Sequence, residues 1–95
     1  MTVRFEWDRR KAAANLRRHG VSFDEAVSVF ANPLARIFDD EDHDDDERRE
    51  LIVGHSVGHR LLVICFTARG RGVRIISARK ATPNEREDYE EGVTS

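Results

Sequence analysis

The stretch RLLVICFTARGRGVRIISARK, residues 60–80, decides the fold. Arg60 to Ala68 and Val73 to Ala78 are rich in Val, Ile, Leu and Phe, and only RGRG (Arg69 to Gly72) separates them. Two strand-like runs joined by so short a glycine turn predict an antiparallel hairpin. In the first run Leu61, Val63, Cys65 and Thr67 share one face and Leu62, Ile64 and Phe66 the other. Both faces are largely apolar, so the sheet needs cover on at least part of both sides. In the second run Arg74 alternates with Val73 and Ile75 and projects opposite to them, with Ser77 on their side.

Upstream, Arg49 to His55 is a further strand, linked by the turn SVGH, Ser56 to His59. Leu34 to Phe38 is an edge strand leading into the acidic run DDEDHDDDE, a solvated loop over 39–48. At the N-terminus, Val3, Phe5 and Trp7 alternate with Arg4 and Glu6, which suits a strand with one face buried. Asp8 is a good N-cap for a helix over Arg9 to Arg18, with a narrow apolar strip at Ala12 and Leu16 beside Ala13, and Gly20 stops it. Ser22 with Glu25 forms a capping box, Phe23, Ala26, Val27 and Phe30 follow at helical spacing, and Asn32-Pro33 ends the second helix. Thr82-Pro83-Asn84-Glu85 combines an N-cap, a proline at the first helical position and a capping glutamate. It predicts a last helix through about Glu91 and a flexible tail over 92–95. The resulting plan is α+β in one domain, residues 1–95: an antiparallel β-sheet with two N-terminal helices and one C-terminal helix.

At 95 residues there is no room for a second core. The one cysteine, Cys65, cannot form an intramolecular disulfide and lies in an apolar run, which fits a buried thiol in a reducing compartment. No apolar stretch approaches the ~20 residues of a membrane span, and the N-terminus lacks the apolar centre of a signal peptide, so a cytoplasmic protein is expected. The formal net charge of -2 conceals a division. Asp39 to Glu50 carries nine acidic residues against two arginines, whereas Leu51 to Lys80 carries six basic residues and no acidic one. Local clustering of this kind, rather than the total, governs phosphate recognition.

Lys11, Asn15 and His19 stand at i, i+4 and i+8 of the first helix, with Asp8 one turn earlier. A mid-helix asparagine is a weak helix former, so something other than propensity selects it. His19, beside a tight glycine turn, is the preferred residue for proton transfer. A solvated helical face, with His19 favourably near the helix C-terminus, explains the same pattern without chemistry. Arg60, Arg74 and Arg79 interrupt or flank strands that otherwise read apolar. An arginine in such a sheet needs an anion, either a carboxylate of Glu85, Glu87 or Asp88 or a phosphate held by its two-pronged donor array. Asp40, Asp42 and Asp44 imitate the start of a calcium loop, but Asp45 stands at the glycine position and Leu51 at that of the closing glutamate. His55 and His59 flank a turn, there is no HExxH or CxxC, and RGRG lacks the lysine and hydroxyl of a P-loop. No metal or cofactor is expected.

Taken together, FEWD at Phe5 to Asp8, the K-x3-N-x3-HGVSF-x2-A series from Lys11 through Ala26, and RIISARKAT at Arg74 to Thr82 followed by EREDYE resemble the BrnT family of type II toxin-antitoxin toxins. The resemblance covers nearly the whole chain and departs at the dense acidic loop. It implies a RelE-like fold, a ribonuclease or translation-inhibiting activity, and neutralisation by a BrnA-type ribbon-helix-helix antitoxin through which alone the toxin reaches DNA. The reaction expected on that basis is metal-independent attack of an RNA 2′-hydroxyl on the adjacent phosphate. Arg74 and Arg79 would stabilise the charge, Arg60 and Lys80 would help hold RNA, and His19 or Lys11 would transfer protons, with Tyr89 a weaker candidate. The rival is a non-catalytic module whose basic sheet binds RNA or an acidic protein. The acidic run has its own alternatives: a solvated loop, an antitoxin contact, or a negative shield for the basic face, testable at Asp44, Asp45 and Asp46.

Overall fold

A computed structural model describes residues 3–40 and 48–94. The elements run β1 (Arg4–Glu6), α1 (Arg9–His19), α2 (Phe23–Val29), β2 (Arg36–Asp39), β3 (Glu50–His55), β4 (Leu61–Arg69), β5 (Gly72–Lys80) and α3 (Pro83–Thr94). The local signals set the starts and stops. Asp8 accepts the Arg10 and Lys11 backbone N–H groups, Ser22 accepts that of Glu25, and Gly20 closes α1 at a φ of 69°, a left-handed conformation that favours glycine. At the head of α3 the box is reciprocal: Thr82 Oγ1 accepts the Glu85 N–H at 3.2 Å and Glu85 Oε1 accepts the Thr82 N–H at 2.9 Å.

The strands form one sheet in the order β1-β5-β4-β3-β2. β2 to β5 are antiparallel neighbours, as the short turns predict, but β1 pairs with β5 in parallel, so the sheet is mixed rather than antiparallel. Alternation along Val3 to Trp7 signals a strand but carries no information on its partner's direction. The chain leaves β1 through both helices and meets it again only at β5, the last strand of the four-strand meander. Gly72 makes that contact possible, since a Cβ there would lie 2.9 Å from the Arg4 carbonyl oxygen.

One sheet face meets the two N-terminal helices: Ile52, Leu62, Ile64, Phe66, Ile75 and Ala78 pack on Val21, Phe23, Ala26 and Val29. Edge-to-face rings tie β1 to this core, with Phe5 to Phe30 at 5.1 Å and Phe30 to Phe66 at 5.0 Å. On the other face Tyr89 of α3 covers Val53, Leu61 and Val63. Part of each face is therefore covered, as their apolarity requires.

Three details depart from expectation. The inward residue of α1 is Asn15, and Leu16, placed in the apolar strip, is half exposed. β2 starts at Arg36, not Leu34, and α3 runs to Thr94 rather than ending at Glu91. Of the acidic run, Asp39 closes β2 and the Asp40 N–H donates to the Arg49 carbonyl, while residues 41–47, and with them the shield or antitoxin roles weighed for Asp44 to Asp46, lie outside the described residues.

Candidate functional site

The site begins with an irregularity. In the β4–β5 ladder Cys65 pairs with Ser77 and Phe66 with Ile75, leaving Ile76 as an extra residue in a β-bulge. Five positions separate Arg74 from Arg79, so strict alternation would set them on opposite faces. The bulge reverses the phase. Arg74 lies opposite Thr67, and both Ser77 and Arg79 lie opposite residues of that same face, Cys65 and Val63. Ser77 thus joins Arg74, not Ile75 as alternation predicts. Bulges commonly re-aim side chains beside functional sites.

Arg74 has a loose environment. Glu6, its register partner on β1, approaches it at 3.7 Å, beyond hydrogen-bonding distance, with side chains 31% (Arg74) and 54% (Glu6) exposed. Asp8 lies close enough to both Lys11 and Arg74 to be influenced by them. The Asp8 carboxyl titrates below its usual range, chiefly because it accepts the Lys11 and Arg10 N–H groups at the head of α1. Lys11 is exposed on the next turn. Arg74 thus pairs loosely with Glu6 at the end of β1 and exerts a small effect on Asp8, the N-cap of the helix that carries Lys11.

Arg79 is held differently. Its guanidinium makes a two-pronged bond to Glu85, at 2.6 and 2.8 Å, and a third contact to the Lys80 carbonyl at 3.3 Å. Of the anions weighed from sequence, the carboxylate of Glu85 is the one in place. Arg79 and the Thr82 N–H together hold the Glu85 pKa down to about 2.

Arg60 and Lys80 turn to the helical side. Arg60 donates from Nε to Glu25 Oε2 at 2.9 Å, from Nη2 to Glu25 Oε1, and from Nη2 to the Gly20 carbonyl at 3.1 Å. The Arg60 bonds lower the Glu25 pKa, with Ser56 donating a further hydrogen bond and Lys80 adding a smaller effect. His19 is half-buried on the last turn of α1, next to Gly20. The structure therefore sorts the candidates into Arg74 with Lys11, Arg79 on the same sheet face, and Arg60, Lys80 and His19 at the far end of α1. Tyr89 is buried, with its hydroxyl donating to the Leu34 carbonyl at 3.0 Å. Sequence reasoning missed Glu6 as the neighbour of Arg74, because that contact depends on the parallel pairing.

Comparison with known proteins closes the question of family. Residues 7–85 match the family described as the ribonuclease toxin, BrnT, of type II toxin-antitoxin systems. The chain belongs to the BrnT family. BrnT toxins are ribonucleases, and their membership of type II systems implies an antitoxin partner. The crystal structure of the Brucella abortus ribonuclease toxin BrnT superposes with a TM-score of 0.66 at 23% sequence identity, covering 85% of this chain and 99% of that one. The two share the fold. The curated proteins include no match. No helix of the described residues is long and apolar enough to cross a membrane.

Proposed function

We propose that this BrnT-family toxin cleaves RNA at the sheet face carrying Arg74 and Arg79, by metal-independent attack of a 2′-hydroxyl on the neighbouring phosphorus. The O2′–P bond forms, the P–O5′ bond breaks, the 2′-hydroxyl proton passes to a base, and O5′ leaves with a proton from an acid. The observation that carries this reading is the bulge at Ile76, which brings two arginines five residues apart onto one face. Their Cα atoms stand roughly 15 Å apart along the strand, so they address different phosphates of the strand rather than one. Arg74, whose ion-pair partner Glu6 stays at 3.7 Å, beyond hydrogen-bonding distance, serves the scissile group, where fixed positive charge offsets the growing charge on the phosphorane. Arg79 reaches RNA by exchanging Glu85 for a phosphate.

Lys11 is the proton-transfer residue assigned to a phosphate at Arg74, on the support that both cations influence Asp8. His19, eight residues further and about 12 Å along the helix axis, serves RNA lying toward Lys80 and Arg60. A RelE-like arrangement and a BrnA-type ribbon-helix-helix antitoxin complete the proposal, with cytoplasmic RNA as the target.

The test is mapping of new RNA ends produced by purified, antitoxin-free protein in EDTA. Arg74→Ala should lower kcat by about 10²- to 10³-fold, the usual effect of losing a transition-state donor. Arg74→Lys should recover part of this. Cleavage undiminished in Arg74→Ala removes the proposed site, and cleavage abolished by EDTA removes the metal-independent step.

A further inference from the structure

Beyond the proposed reaction face, the sheet end where β4 turns into β5 carries a second cationic feature. Arg4, Phe5, Glu6, Arg69, Arg71 and Gly72 line a groove of about 760 Å³, within the range of ligand-sized clefts. Three of these residues are arginines and one is a carboxylate, and that carboxylate, Glu6, lies against Arg74 on its other side. The geometry has local causes. Gly70 turns the hairpin at a φ of 57°, and the register sets Gly72 so close against the Arg4 backbone that a Cβ would lie 2.9 Å from the Arg4 carbonyl oxygen. Arg4 and Arg71 are both exposed. Arg4 and Glu6 share one face of β1, two residues apart, which is about 7 Å along the strand.

We infer that this groove is an RNA-backbone site flanking the scissile phosphate, in which Arg4 and Arg71 each hold a phosphate of a single-stranded substrate. The inference rests on the proposed cleavage at Arg74, because Glu6 joins the groove to that residue. It makes the enzyme a reader of extended single strands, with part of its affinity drawn from nucleotides that do not react. Phosphate contacts of this kind position the strand without reading its bases. They also leave a measurable trace, because each phosphate neutralised on a single strand adds about 0.7 to the slope of log affinity against log salt.

The test compares the toxin with Arg4→Ala plus Arg71→Ala. Binding is measured to a 2′-O-methyl RNA 12-mer, which cannot undergo 2′-hydroxyl attack, across a salt series, and cleavage is measured on the unmodified 12-mer. The double variant should bind about tenfold more weakly at low salt, lose about 1.4 from the salt slope, and raise KM more than it lowers kcat. Arg4→Lys plus Arg71→Lys should retain the slope, which separates lost charge from lost folding. An unchanged slope in the alanine variant overturns the groove, and so does an equal fall in binding by the lysine variant. If the alanine variant loses about 1.4 from the parent's salt slope on the 2′-O-methyl strand yet the parent cuts no RNA, the groove stands and the cleavage reading falls.

Discussion

Asn15 of α1 holds both backbone groups of Ala78 on β5: its Nδ2 donates to the Ala78 carbonyl at 2.8 Å and its Oδ1 accepts the Ala78 N–H at 3.1 Å. β1 pairs with β5 only as far as Arg74, so beyond that point the backbone of β5 has no strand neighbour on that side. The amide side chain replaces one, offering a donor and an acceptor in the manner of a paired residue. A further bond to the Val21 carbonyl at 3.0 Å fastens the turn into α2. This explains a weak helix former at mid-helix: its burial serves the sheet edge.

Replacing Asn15 with Ala should therefore destabilise the fold by about 2–4 kcal/mol, since it strands buried backbone groups in a tight site. Asn15→Asp should do at least as much harm near neutral pH, because a carboxylate would face the carbonyls of Ala78 and Val21. Urea unfolding followed by circular dichroism measures both. A loss below about 1 kcal/mol for the alanine variant would show that water replaces the amide.

The Glu85–Arg79 pair makes a prediction about acid. Glu85 titrates at about 2 in the folded chain, below its unfolded value, so its contribution is complete above roughly pH 4.5, declines as pH falls, and is gone below about 2. Both partners are about a third exposed, at 34% (Glu85) and 38% (Arg79), and solvent screening limits the contribution to about 0.5–1 kcal/mol. Glu85→Gln should thus be less stable than the parent at pH 7 and equal to it at pH 2. Thermal melts from pH 7 to 2 that stay parallel would contradict this.

The same substitution bears on RNA. Removing the carboxylate from Arg79 leaves a guanidinium on the reaction face, so Glu85→Gln should bind single-stranded RNA several-fold more tightly at low salt, with the gain fading by about 0.5 M salt. Anisotropy titrations at both salt levels measure it. Unchanged affinity would confine Arg79 to anchoring the head of α3.

Much of the candidate site was legible in the chain: Arg74, Arg79 and Lys11 stand out as cations in or beside apolar elements. What the chain did not show is how they divide. Arg60 reads like Arg74 in sequence, yet it is committed to Glu25, 35 residues away, and to the carbonyl of Gly20. Such partners are invisible to spacing because they meet only when α2 packs on the β3–β4 turn.

The division between levels follows the range of the forces. Asp8, Ser22, Thr82 and Gly20 determined the helix ends, and alternation with short glycine turns determined the meander, because each acts over a few bonds. The family resemblance was likewise present in the chain alone. Only the tertiary structure decided that β1 runs parallel to β5, that Asn15 rather than Leu16 faces inward, and that a bulge at Ile76 brings Arg74 and Arg79 to one face. A single extra residue inverts side-chain phase in a lattice of period two, and only the partner strand reveals where it sits.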